Sequence, residues 1–145
     1  MGDIAIITAV CAVAWTVWAG IWTSRLKGGV PADCLFTYSI FMLVSSVVVF
    51  GLASFASETA YQATFAYAMS VLAEGLHGKS LTGANLADIQ AAAQWATYHG
   101  DNLHIAGLVV VHAAAAVLKY FVPAILAGLG VWSLGKFMDS RVRVE

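Results

Sequence analysis

Three observations predict an all-α integral membrane protein in which two amphipathic helices on the outer side separate the second and third of three transmembrane helices. The chain holds too few charges to cover a water-facing surface, its apolar runs reach membrane-spanning length, and its basic residues are segregated along it. Only 10% of the 145 residues are charged and 61% are apolar, against about 25% and 45–50% in soluble domains of this size. The mean hydropathy of +0.82 makes lipid the solvent that replaces the missing polar side chains. The length suits a single membrane domain, residues 1–145. A net charge of −1 with no basic run predicts no nucleic-acid partner.

The first apolar run is IAIITAVCAVAWTVWAGIW, Ile4 to Trp22, within a span of about residues 4–23. It lacks a basic n-region and outruns a signal-peptide core, so it is expected to remain as an anchor. After the basic loop TSRLKGG, Pro31 and Asp33 signal the turn into the second run, expected over residues 34–55. About 20 apolar residues cross a hydrocarbon core of roughly 30 Å. Cys11 lies well inside the first run and Cys34 at the start of the second, so the two thiols are expected to be small, buried and unbridged.

The segment from 56 to 117 is expected to be helical and extracytoplasmic. Ser57 and Thr59 suit a helix start, Tyr61, Phe65, Ala68, Leu72 and Leu76 form an apolar face, and Gly75 and Gly78 suit a stop. A second amphipathic helix is expected in TGANLADIQAAAQWATYHG, with Leu86, Ile89, Ala93 and Ala96 on one face and Gly100 as its stop. Asp101 and Asn102 then suit the cap of the last helix.

Lys119 lies inside the long apolar stretch His104 to Phe137, with Pro123 four residues on. Lys119 and Lys136 are 17 residues apart, about 25 Å along a helix, close to the thickness of a bilayer core. Two snorkelling lysines are therefore expected to mark its two faces, with the third span at 118–137 and Trp132 near the inner boundary. A lysine deep in the bilayer is the competing reading. Arg25, Lys27, Lys136, Arg141 and Arg143 lie at one side of this plan, while Glu58, Glu74, Asp88 and Asp101 face a single Lys79 on the other. The positive-inside rule then puts the amino terminus outside and the carboxyl terminus in the cytoplasm, in a bacterial inner membrane.

Chemistry is sparsely signalled. His99, Asp101 and His104 are donor types that suit a divalent metal, but a His before Gly more often ends a helix and an Asp after it caps the next. His112 is expected to be buried and hydrogen-bonded. His104 and His112 share one helix and point about 80° apart, so they do not suit a bis-histidine haem within one copy. No nucleophile–base arrangement, phosphate loop or CxxC occurs, so no catalytic residue and no cofactor is predicted; phospholipid contacts are expected at Lys119, Lys136, Trp132 and Trp22.

Packing is the stronger signal. Ala5, Ala12 and Ala19 recur every seven residues, as do Ala106 with Ala113 and Gly128 with Gly135. Small residues let helices approach closely in lipid. The expected role is a small polytopic subunit that self-associates or docks with other subunits of a larger complex, such as secretion, conjugation or energy-converting machinery. A pore or transporter is the alternative, and the three-crossing plan resembles in topology that of some phage holins. A metal- or haem-bearing subunit of a membrane enzyme is the third reading.

Overall fold

The computed structural model describes residues 2–24, 31 and 34–142. Four helices follow one another: α1 (Gly2–Ser24), α2 (Leu35–Gly75), α3 (Leu86–His99) and α4 (Asn102–Val142). Among the described residues there is no strand. Among the described residues three segments are long and apolar enough to cross a membrane, Gly2–Ser24, Leu35–Gly75 and Leu103–Ser140, whose most apolar 18-residue stretches have mean hydropathies of 2.1, 2.2 and 2.0. The chain is an all-α membrane protein. Arg25, Lys27, Asp33 and Arg143, and the side chains of Asn102 and Arg141, lie outside the described residues.

The second span and the first amphipathic helix, expected as separate elements meeting near residue 56, form one 41-residue helix. Its length is about 60 Å. The start signals at Ser57 and Thr59 are put to other uses. Thr59 Oγ1 donates to Phe55 O within the helix, and Ser57 bonds across to α4. With no Pro or Gly between Leu52 and Glu74, every amide there can join the helical ladder. α4 likewise continues through Pro123 to 41 residues, so residues 102–117 and the expected span at 118–137 share one rod. Pro123 is buried against α2, where its carbonyl accepts a hydrogen bond from Ser46 Oγ at 2.9 Å.

α2 and α4 run antiparallel in an unbroken register. Ser39 Oγ donates to Gly130 O at 2.7 Å, Ser46 Oγ to Pro123 O, and Ser57 Oγ lies 3.1 Å from His112 Nδ1. From Ser39 to Ser46 to Ser57 the chain advances by 7 and then 11 residues, and the partners on α4 retreat by the same steps. Seven and eighteen residues are near-integral numbers of turns at 3.6 residues each, so the three serines share one face. Gly130 permits the approach, since a Cβ there would stand 2.8 Å from Leu43 Cγ and 3.2 Å from Ser39 O.

α1 packs beside this pair through its alanine stripe. Ala5, Ala12 and Ala19 are fully buried while Ile4, Ile7, Val10 and Val17 on its other faces are about half exposed. Thr8, Thr16 and Thr23 hydroxyls donate to the carbonyls four residues back, so these side chains carry no unmet polar demand into an apolar setting. Ala19, Tyr38, Met42, Val49 and Leu126 make the core, flanked by Trp15, Phe41, Val122 and Leu129. Trp18 meets Phe41 edge-on at 5.2 Å, and Trp22 stacks on Tyr38 at 6.3 Å.

At the far end, α2 stops where Gly75 and Gly78 predict. Leu76 is the C-cap, and His77 and Gly78 turn the chain with φ of 49° and 85°. α3 starts on a capping box, with Asn85 accepting from the Asp88 amide and Asp88 from the Asn85 amide. The apolar faces expected to lie on the outer leaflet are largely open, apart from Leu76, which is buried. Tyr61, Phe65 and Leu86 are 57%, 59% and 72% exposed, whereas Ala56, Ala60, Val71, Gly75 and Ala92 are buried. α3 docks where Gly75 meets Ala92, because a Cβ on Gly75 would lie 2.9 Å from Ala92 O. Close backbone approach wins over the larger side chains, which stay outside. Cys11 and Cys34, expected to be buried, are free and exposed for the same reason: each lies off the alanine or serine seam of its helix.

Candidate functional site

Lys119 is half-buried on α4. Its ammonium lies 5.7 Å from the Phe50 ring centroid and 5.5 Å from that of Tyr120. Within about 6 Å a ring face attracts a cation through its quadrupole. Phe50 and Tyr120 are themselves 47% and 66% exposed. Lys136 is exposed and stands 5.9 Å above Trp132. Sequence reasoning identifies both lysines, Trp132 and Trp22, but misses Phe50. The constant α2–α4 register, legible only once Ser39, Ser46 and Ser57 are seen as one face, is what sets Phe50 opposite Lys119.

The position of α1 bears directly on the lysine. A Cβ on Gly2 would meet Leu108 Cδ2 at 3.4 Å and His104 Cε1 at 4.0 Å, and Gly20 lines a groove with Leu126. Gly2 stands beside residues 104 and 108 of α4, and the groove sets residues 16–24 of α1 against 122–129, so the α4 number exceeds the α1 number by about 105 at both ends. α1 thus runs parallel to α4, and Lys119 stands about level with Val13, midway along Ile4–Trp22. A hydrocarbon slab bracketed by Lys119 and Lys136 leaves Ile4 to Ala12 beyond its edge. A slab matched to α1 holds Lys119 near its centre.

The groove, about 360 Å³, lies between Thr16, Gly20, Thr23 and Ser24 of α1 and Val122, Ile125, Leu126 and Leu129 of α4. Its hydroxyls on Thr16, Thr23 and Ser24 already donate to their own helix, so it offers apolar surface only.

His99, Asp101 and His104 are close in sequence but do not converge. The His99 ring stacks on Trp95 at 4.5 Å, with Nδ1 3.0 Å from Trp95 O. Asp101 Oδ1 accepts from the His104 amide as the cap of α4, while the Asp101 amide donates to the Tyr67 hydroxyl. The His104 ring lies 5.3 Å from Tyr67. Among the described residues no three His, Cys, Asp or Glu side chains are grouped to hold a metal ion. His112 Nδ1 is 3.0 Å from Ser57 O. The Ser57 hydroxyl is 3.1 Å from the same nitrogen, so the ring bridges α2 and α4 in either tautomer.

The small residues divide. Ala5, Ala12 and Ala19 face the chain's own helices, whereas Gly107, Gly128 and Gly135 are exposed, and a Cβ added at any of the three would meet no neighbouring element within 4 Å. Outside the spans, Lys79 Nζ and Asp88 Oδ1 pair at 2.7 Å. The Lys79 hydrogen bond, helped by the Asn85 amide, holds the Asp88 carboxyl below the usual carboxylate range. Comparison with protein-family models, with curated proteins and with solved structures gives no match.

Proposed function

We propose that this chain is a small structural subunit that self-associates or docks into a larger membrane complex. The observation that carries the reading is the height of its bare apolar surface. Exposed large apolar side chains run along α4 from Leu103 to Met138 and along α2 from Phe36 to Met69. At 1.5 Å per residue each stretch is about 50 Å tall, against roughly 30 Å of hydrocarbon and about 40–45 Å of whole bilayer. α3 sits on the end of α2 at Gly75 and leaves Leu103, Val109 and Val110 bare. Protein from outside this chain is the cover that fits. The open Gly107, Gly128 and Gly135 give a helix from such a neighbour places to approach.

The slab matched to α1 is the favoured placement. Only this slab gives α1 the roughly 20 apolar residues a crossing needs. The side-chain balance is close to even, since it leaves Phe36, Val131 and Trp132 in water in place of Ile4, Ile6, Ile7, Val10 and Val110. Holding one lysine at the centre costs about 2.5–3.5 kcal/mol. The basic residues Arg25, Lys27, Lys136, Arg141 and Arg143 then set the amino terminus outside and the carboxyl terminus in the cytoplasm, in a bacterial inner membrane.

Extraction of native membranes in mild detergent, followed by light scattering, tests the subunit reading. A particle several times the 15.3 kDa of one chain, after correction for detergent, is expected. A homogeneous monomer without co-purifying chains overturns it.

A further inference from the structure

The Lys119 ammonium lies at the mouth of the α2–α4 seam, over the exposed rings of Phe50 and Tyr120. On the helical wheel Tyr120 falls opposite Val122, Ile125, Leu126 and Leu129, which line the α1 groove. The Lys119 backbone position lies within about 20° of Leu126, and its long stem carries the ammonium to the Phe50 and Tyr120 rings on the side away from that groove. Among the described residues the one ion pair is Lys79–Asp88, and no carboxylate reaches Lys119.

Among the described residues the chain's acids are at other depths. Phe50 is level with Lys119, and Glu58, the nearest acid along α2, is eight residues further on, about 12 Å. There it accepts from Gln62 Nε2. Asp139 is twenty residues from Lys119 along α4, about 30 Å. Asp3 is at the start of α1, and Glu74, Asp88 and Asp101 are at the α3 end. Among the described residues, a second copy in either orientation, sharing the same slab, brings no carboxylate to the level of Lys119.

We infer that the Lys119, Phe50 and Tyr120 face binds a transmembrane helix of a different chain that carries an Asp or Glu near its middle. This rests on the subunit reading and on the slab matched to α1. Charge complementarity selects the partner. A cation at mid-depth stays charged when a carboxylate meets it, and the two aromatic rings flank the pair and keep lipid from competing. The same face gives an uncharged helix no such advantage, so pairing at this depth specifies which subunit binds.

The test uses the full chain in phosphatidylcholine vesicles with a leucine–alanine transmembrane peptide of about 20 residues bearing one central Asp. Energy transfer between labels on the two reports association. The Asp peptide is expected to bind at least about tenfold more tightly than peptides with Asn or Leu at that place, and Lys119→Leu is expected to remove the difference while Lys119→Arg keeps it. Equal binding of the Asp and Leu peptides overturns the inference, as does an Asp preference that survives Lys119→Leu. A nitroxide at position 119, in a background with Cys11 and Cys34 replaced by Ala, reads depth. Mid-bilayer depth is expected, and a headgroup-level signal overturns the inference. Loss of the Asp preference when phosphatidylglycerol is added also overturns it, because lipid phosphate then satisfies the ammonium. These failures leave a large detergent particle intact, whereas a monomeric particle overturns the subunit reading itself.

Discussion

The two ends of the α2–α4 pair are built on different principles. Toward the start of α2, Tyr38, Met42, Val49 and Leu126 interdigitate with Trp15 and Phe41, and Trp18 and Trp22 extend the cluster. Toward the α3 end most of the buried side chains are alanines, Ala53, Ala56, Ala60, Ala63 and Ala92, with Val71, Leu76 and Leu108 the larger exceptions. Contact there is supplemented by polar links, His112 to Ser57 and the Asp101 amide to the Tyr67 hydroxyl. The first end adds dispersion between large groups to the Ser39–Gly130 and Ser46–Pro123 hydrogen bonds; the second joins mostly small residues by close approach and hydrogen bonds. Other large side chains of the second end, Tyr61, Phe65 and Leu103, are left facing outward.

The sharpest way to break this contrast is at Gly130. Gly130→Leu drives a side chain into Leu43 and the Ser39 carbonyl and is expected to cost about 3 kcal/mol or to part the helices. Gly128→Leu, with open space at its Cβ, is expected to leave the chain's own stability unchanged. Titration with sodium dodecyl sulfate, followed by Trp fluorescence, compares the two. At the other end, Gly75→Ala meets backbone at 2.9 Å and is expected to cost about 1–2 kcal/mol. Its effect should stay local, so amide exchange rises across α3 while the Trp15–Trp18–Phe41 cluster keeps its fluorescence. The smallest effect is the pH response of α3. The folded-state pKa of Asp88 is depressed, so its contribution is present above the ordinary value of 3.8 and is lost as pH falls through the lower folded value. Exchange of the first-turn amides of α3 should therefore quicken in acid below that range, and Asp88→Asn should show the quickened exchange at neutral pH. Unchanged protection in either case removes the cap from the account of how α3 begins.

Helix type and number of long apolar helices are readable from composition and run length because both are set by the solvent, not by tertiary detail. The stops at Gly75, Gly78 and Gly100 and the cap at Asp101 are readable for a local reason, backbone freedom and an oxygen one turn from a free amide. Burial is less legible. Tyr61, Phe65 and Leu86 stand out in the sequence as the apolar face of leaflet-lying helices and are exposed. The small residues that hold the seams, Ala56, Ala60 and Ala92, are selected by close approach between helices and not by side-chain size. The break expected near Ser57 fails because a serine there serves another helix as readily as its own. The level of Lys119 depends on how far α1 is shifted along α4, a tertiary offset that a distance between two lysines in one helix does not contain.

Ser39, Ser46 and Ser57 act as pegs at three heights along one seam. Sliding one rod past the other by a single turn, about 5.4 Å, would strand all of them together, and no shorter displacement reaches a new set of sockets. The three bonds thus fix the register of the long pair over a stretch of about five turns, and a shift of one rod against the other has to break all of them at once.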